Sequence, residues 1–132
     1  MINVKGACGE IVSHIDLVEK KKVSEDSAEK TWIKWLFSDR DGALTFAVRV
    51  FEIEPGGWIK PHSHPWEHGI YVLEGVGDVR IGSRVYRVTS GSYLYIPPNV
   101  EHEYRVVGDK SVKFICIIPL KPSVQESVKK EC

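Results

Sequence analysis

Asp78-Val79-Arg80-Ile81-Gly82-Ser83-Arg84-Val85-Tyr86-Arg87-Val88 is the stretch that decides the fold. Two short runs of strand-forming residues, Asp78 to Ile81 and Arg84 to Val88, are separated by Gly82-Ser83 alone. Glycine at the first central position of a two-residue loop is a hairpin signal. Working outward, the same texture repeats. Ile70 to Leu73 precedes the hairpin, and Tyr93 to Ile96, His102 to Val107 and Val112 to Ile118 follow it. Upstream, Thr31 to Phe37 is aromatic and β-branched, Ser38-Asp39-Arg40-Asp41-Gly42 is turn chemistry, and Phe46 to Ile53 ends at Pro55-Gly56-Gly57. Many short strands at even spacing, with no helical period, predict a β-sandwich or barrel, and a barrel gathers side chains from distant strands around one interior cavity.

Length and charge set the bounds. A chain of 132 residues is one domain's worth. Its 18 basic and 18 acidic residues balance, so nothing points to nucleic acid or an anionic membrane. The longest apolar stretch, Phe114 to Leu120, is far short of the ~20 residues a membrane helix needs. The N-terminus lacks an apolar signal core, and Cys8, Cys116 and Cys132 are odd in number with no CxxC pair. Free thiols in a cytoplasmic protein are the expectation. Gly75-Val76-Gly77 is read as a turn, because a dinucleotide fingerprint would need a third glycine and a following helix. Ser123-Val124-Gln125-Glu126 is a possible capping box in a short C-terminal tail.

Chemistry concentrates in the histidines. His62, His64 and His68 fall within Gly56-Gly57-Trp58-Ile59-Lys60-Pro61-His62-Ser63-His64-Pro65-Trp66-Glu67-His68, and His102 follows Pro97-Pro98-Asn99-Val100-Glu101. A pair at i, i+2 on an extended strand turns both rings to one face, and imidazole is a strong ligand for divalent transition metals. A lone histidine is ordinarily a surface or core residue. Only His14 has no companion and is left in that role.

These residues resemble a known family. Gly56, His62, His64, His68 and Gly75 match the first cupin motif, and Gly91, Pro97, Asn99 and His102 match the second. The resemblance spans Phe46 to Leu120 and implies an all-β, double-stranded β-helix, the cupin jelly-roll barrel. Residues 1–30 would then be an N-terminal extension, 31–120 the barrel and 121–132 the tail. A homodimer is implied as well. This sequence departs from the common pattern in three places. His68 stands where most cupins carry a glutamate ligand, Asn99 replaces a turn glycine, and Val106 replaces an asparagine. Asparagine tolerates the left-handed backbone that a turn glycine adopts.

With His68 the chain resembles a subgroup of small cupins with four histidine ligands. The resemblance implies one divalent metal per chain held by His62, His64, His68 and His102, with Mn or Fe favoured and Zn, Ni or Cu possible. Four neutral imidazoles leave the full divalent charge in place, whereas a carboxylate would cancel one unit of it. Such a site favours anionic ligands, and a six-coordinate metal keeps open positions beside its four protein ligands.

The surroundings are read from alternation. Phe114, Cys116 and Ile118 share a face of the last strand and are expected to line an apolar pocket, with Cys116 a metal-proximal oxidation target. Tyr104, two residues past His102, points to the same interior, and Trp66 sits between two ligands. Core packing is the first role for both, and substrate contact the second. Glu101 and Glu103 should face away from His102. Arg49, a charge inside an apolar strand, is a candidate for an anionic substrate or a subunit contact. The expected function is a dioxygenase-type oxidoreductase acting on a small enol, diketone, phenolic or alkene-bearing substrate. The alternatives are a metal-dependent sugar or sugar-acid isomerase and a non-catalytic small-ligand binder. Beyond Tyr104, no residue stands out as the acid or base that the isomerase would need.

Overall fold

A computed structural model describes residues 1–120 of the chain. The tail with its capping-box sequence and Cys132 lies outside the described residues. The elements are β1 (Val4–Lys5), β2 (Ile11–Val12), β3 (Lys21–Lys22), β4 (Ala28–Phe37), β5 (Phe46–His62), β6 (His68–Glu74), β7 (Val76–Ile81), β8 (Arg84–Thr89), β9 (Tyr93–Ile96), β10 (His102–Val106) and β11 (Val112–Pro119). β1 and β2 form a small sheet of their own. The remaining strands make a curled antiparallel sheet in the order β8-β7-β10-β5-β11-β6-β9, with β4 on β5 and β3 on β4. This is the jelly-roll barrel expected from the sequence.

The Gly82-Ser83 hairpin forms as read, pairing Ile81 with Arg84 around Gly82 at φ 60°. Ser38 to Gly42 also closes as expected, into a 3-10 turn over Asp39–Asp41. Ser38 and Asp41 cap each other there, and Gly42 is left-handed.

Two boundaries differ from the sequence expectation. β5 does not end at Ile53 but runs on to His62. Its first half, Phe46 to Ile53, pairs with β11, and its second half, from Trp58 to His62, pairs with β10. Pro55, Gly56 and Gly57 form a corner within one strand, which a proline and two glycines disguise as a stop. Gly56 has φ 81°, and a Cβ on Gly57 would stand 2.7 Å from the Glu29 carbonyl oxygen. β4 turns the same corner through a bulge between Glu29 and Thr31, with Lys30 at φ 51°. The second difference is at Gly75-Val76-Gly77. Gly75 alone bends, at φ 87°, and Val76 and Gly77 already belong to β7.

The corner carries β5 into the site. Below it, Ile53, Ile70, Val72, Val79, Val88, Ile96, Val112 and Phe114 are buried together as the core.

Candidate metal centre

His62 closes β5, His102 opens β10 and His68 opens β6, while His64 sits just past the end of β5. The two histidine-bearing segments are clasped together. His102 pairs in register with His62, and the backbone N–H of Asn99 donates to the carbonyl of His64 at 2.7 Å. Asn99 has φ 66°, the left-handed conformation anticipated at the turn-glycine position.

His62, His64 and His102 bring one ligand nitrogen each to within 4.8 Å of one another. The ring centroids are 4.3 Å apart for His62 and His102, 4.9 Å for His62 and His64, and 5.1 Å for His64 and His102. Backbone carbonyls fix two of the tautomers. His62 Nδ1 donates to the Lys60 carbonyl at 2.7 Å, and His102 Nδ1 donates to the Val100 carbonyl at 2.8 Å. A carbonyl can only accept, so the proton is on Nδ1 and the Nε2 lone pair is free. His102 Nε2 is buried without any hydrogen-bond partner. A buried polar atom left without a partner costs about 1–3 kcal/mol, and a bound cation would remove that cost.

His68 is placed differently. Its ring stacks on His64 with centroids 4.5 Å apart, and its Nε2 lies 3.1 Å from His64 Nδ1. Its Nδ1 lies 3.3 Å from Cys116 Sγ, and Arg49 Nη2 donates to the same sulfur at 3.0 Å. Both nitrogens of His68 therefore have protein partners, and the ring lies outside the three-histidine group. His14 is far off, capping the 3-10 turn that begins at Ile15.

Electrostatics favours neutral rings. Burial, reinforced by the neighbouring His62, His102 and Arg49, pulls His64 down to about 4. Burial pulls His68 down to about 2, and it lowers His102 as well. Imidazoles that resist protonation keep their lone pairs for a metal at neutral pH. These donors fit a divalent transition metal.

A cavity of about 220 Å³ opens beside the histidines, lined by His62, His64 and His68 with Arg49, Tyr104, Phe114 and Cys116. Tyr104 is buried and stacks on Phe114 at 5.2 Å. Burial raises its hydroxyl well above the usual tyrosine range and raises the Cys116 thiol too. Ile118 packs against the core rather than lining the cavity, and Trp66 stacks on His64 at 4.5 Å from outside it. Glu101 and Glu103 turn away, as expected, to bind Arg80 at 2.8 and 3.1 Å.

Sequence reading missed Phe51, Ile59, Lys60, Ser27 and Val23 in the lining. Phe51 was within reach of it, because it alternates with Arg49 on the same face of β5. Ser27 and Val23 come from the irregular approach to β4, where no periodicity marks them.

Residues 49–118 match the family described as Cupin domain. The chain belongs to the cupin family. Among its relatives, 1-methylthio-D-xylulose 5-phosphate methylsulfurylase of Rhodospirillum rubrum is 29% identical over 104 residues, which is 79% of this chain and 65% of that protein. A probable (S)-ureidoglycine aminohydrolase of Oryza sativa is 28% identical over 71 residues, 53% of this chain and 23% of that protein. The chain thus spans less than two thirds of the length of these relatives. The solved structure of the polyketide cyclase RemF from Streptomyces resistomycificus superposes with a TM-score of 0.78 at 31% identity, covering 83% of this chain and 79% of that one. These cupins carry names for quite different reactions.

Proposed function

We propose that this cupin is a mononuclear metal enzyme, an oxidoreductase of dioxygenase type acting on a small organic substrate. The observation that carries the reading is the cluster of three imidazoles, two of them with Nδ1–H pinned to backbone carbonyls, and one of these two, His102, with a buried, partnerless Nε2. His62, His64 and His102 would hold the metal, with His68 as the fourth ligand. To serve, His68 Nε2 must exchange its present partner, His64 Nδ1, for the metal. Mn or Fe would supply Lewis-acid polarisation of a bound oxygen atom and a redox couple for dioxygen.

The chain's own residues narrow the chemistry. Among the described residues, no aspartate or glutamate lines the cavity. Tyr104, the one acid/base candidate for an isomerase, is held protonated by burial. The described wall thus offers a proton-moving isomerase neither a carboxylate nor a phenolate base, which favours the oxygenase. Phe114, Phe51 and Ile59 exclude water from the cavity wall, and Tyr104 braces Phe114.

A second reading draws on the relatives, whose names include a methylsulfurylase and an aminohydrolase. On that reading a metal held by His62, His64 and His102 would supply Lewis-acid polarisation of the substrate, and no oxygen would be consumed. Oxygen-electrode measurements on Mn- and Fe-loaded protein, with a panel of enols, diketones and catechols, separate the two. Uptake that tracks substrate loss supports the dioxygenase, and substrate loss without uptake overturns it.

The barrel is the functional unit on this reading, and it takes in residues ahead of 31, because β4 begins at Ala28 and Val23 and Ser27 line the cavity. A second copy of the chain is the proposed partner. Tyr71, Tyr93, Tyr95 and Ile117 are exposed on one outward face of β6, β9 and β11. Sedimentation should show a dimer that Tyr93→Glu with Tyr95→Glu dissociates. A cytoplasmic location is supported by free Cys8 and Cys116. No helix among the described residues is long and apolar enough to cross a membrane.

A further inference from the structure

Among the described residues Arg49 is the one guanidinium in the cavity wall, and it is under-partnered. Among the described residues its only hydrogen-bond acceptor is the sulfur of Cys116, and its Nε is buried with no partner. No carboxylate pairs with it in the described residues, although Arg80 has two and Arg87 has one. A guanidinium carries five N–H donors and cannot shed its charge, so leaving most of them unmatched beside a cavity is costly unless something else fills the place. Its direction is fixed. The guanidinium carbon lies 4.9 Å from the Phe51 ring centroid and 5.3 Å from that of Trp35, so two aromatic faces hold the fork in position.

The neighbourhood says which anion fits. Apart from the histidines, Ser27, Tyr104 and Cys116, the described wall is hydrocarbon, from Phe51, Phe114, Ile59 and Val23, with the exposed Lys60 as a second cation. A planar fork with an open Nε–H complements a carboxylate, whereas a phosphate dianion calls for more donors than this wall offers. Through Cys116 and His68, Arg49 also stands three contacts from His64.

We infer that Arg49 anchors a carboxylate of the substrate, so that the pocket takes a small, largely apolar carboxylic acid with its acid end at Arg49 and its reacting end toward His62 and His64. The inference rests on the proposed site for its cavity but not on the metal. Its failure and the failure of the metal reading can therefore be told apart.

The test uses metal-free protein, dialysed free of chelator, titrated calorimetrically with propionate and benzoate, with inorganic phosphate and neutral propionamide as further arms. Carboxylate binding should weaken roughly 10- to 100-fold in Arg49→Gln and partly recover in Arg49→Lys, as expected for loss of a charged hydrogen-bond pair. Propionamide should bind no better to wild type than to Arg49→Gln. On the wild-type protein, which needs no variant to fold, benzoate should slow phenylglyoxal modification of Arg49 as mapped by mass spectrometry. Equal affinity in wild type and Arg49→Gln, or Arg49 modified at the same rate with and without benzoate, overturns the assignment. Phosphate binding tenfold tighter than either carboxylate overturns the substrate class. Dissociation of a dimer by Arg49→Gln, with carboxylate binding intact, would instead make Arg49 a subunit contact.

Discussion

The two ends of the barrel are built from the same strands yet do opposite work. On β6 the inward series runs His68, Ile70, Val72; on β10 it runs His102, Tyr104, Val106; on β11 it runs Cys116, Phe114, Val112; and on β5 it runs Arg49, Phe51, Ile53. Each series starts with a titratable or charged group at the open end and finishes as hydrocarbon at the closed end. At the closed end Ile53, Val72, Val112 and Phe114 pack to within a few per cent of complete burial. At the open end lies a cavity of about 220 Å³, and among the described residues the buried polar atoms left without partners are Nε of Arg49, in its wall, and Nε2 of His102, in the histidine cluster beside it. The closed end provides stability, and the open end spends some of it to hold donors ready.

That contrast can be broken by mutation. Ile53→Ala at the closed end should destabilise the protein by about 2–5 kcal/mol in urea unfolding, the cost of a buried cavity. His64→Ala at the open end should change the stability of metal-free protein by only about 1 kcal/mol or less, since His64 is half-buried and close to a cavity. Equal losses at both ends would remove the distinction.

A smaller loss is expected at the corner that joins the two ends. Gly57→Ala should cost about 1–3 kcal/mol, because the new methyl meets backbone oxygens of Glu29 and Glu54 that cannot swing aside. It should also weaken metal binding by shifting His62. Stability loss without any change in metal affinity would show that the corner does not position the site.

Acid should act on the open end alone. His64 and His68 hold pKa values of about 4 and about 2 in the fold, against an ordinary 6.5. Below pH 6.5 the unfolded chain therefore binds more protons than the folded one, and stability falls as pH drops from 6.5 toward 4. Above about pH 7.5 these groups should contribute no slope, because they are neutral in both states. Melting of metal-free protein across this range checks the sign, and replacing both histidines should make the acid limb shallower, with His102, also lowered by burial, supplying what remains. The smallest effect belongs to the clasp. Asn99→Gly should be nearly neutral, whereas Asn99→Ala should cost about 1 kcal/mol for a left-handed residue with a Cβ, read as a shift in melting temperature.

The sequence carried the barrel because alternation and turn chemistry are local. Gly82-Ser83 and Ser38 to Gly42 closed as their residues dictate. The corner of β5 was not legible, since Pro55-Gly56-Gly57 has the composition of a terminator and only the register with β10 and β11 reveals a bend. In the site, His62, His64 and His102 were legible from motif spacing, and their Nδ1 anchors on carbonyls two residues back were not. The stacking of His68 on His64 and its contact with Cys116 depend on β6 and β11 lying side by side, which no local pattern encodes. Ile118 was placed in the pocket by alternation alone, and the strand carries it past the cavity into the core edge.

Element-resolved metal analysis of native-source protein, run beside His64→Ala and His68→Glu, tests the central claim most directly. The account predicts about one Mn or Fe per chain in wild type, none in His64→Ala, and retained metal in His68→Glu, where a carboxylate can replace the fourth imidazole. A full metal equivalent in folded His64→Ala, or no metal in wild type, would contradict it.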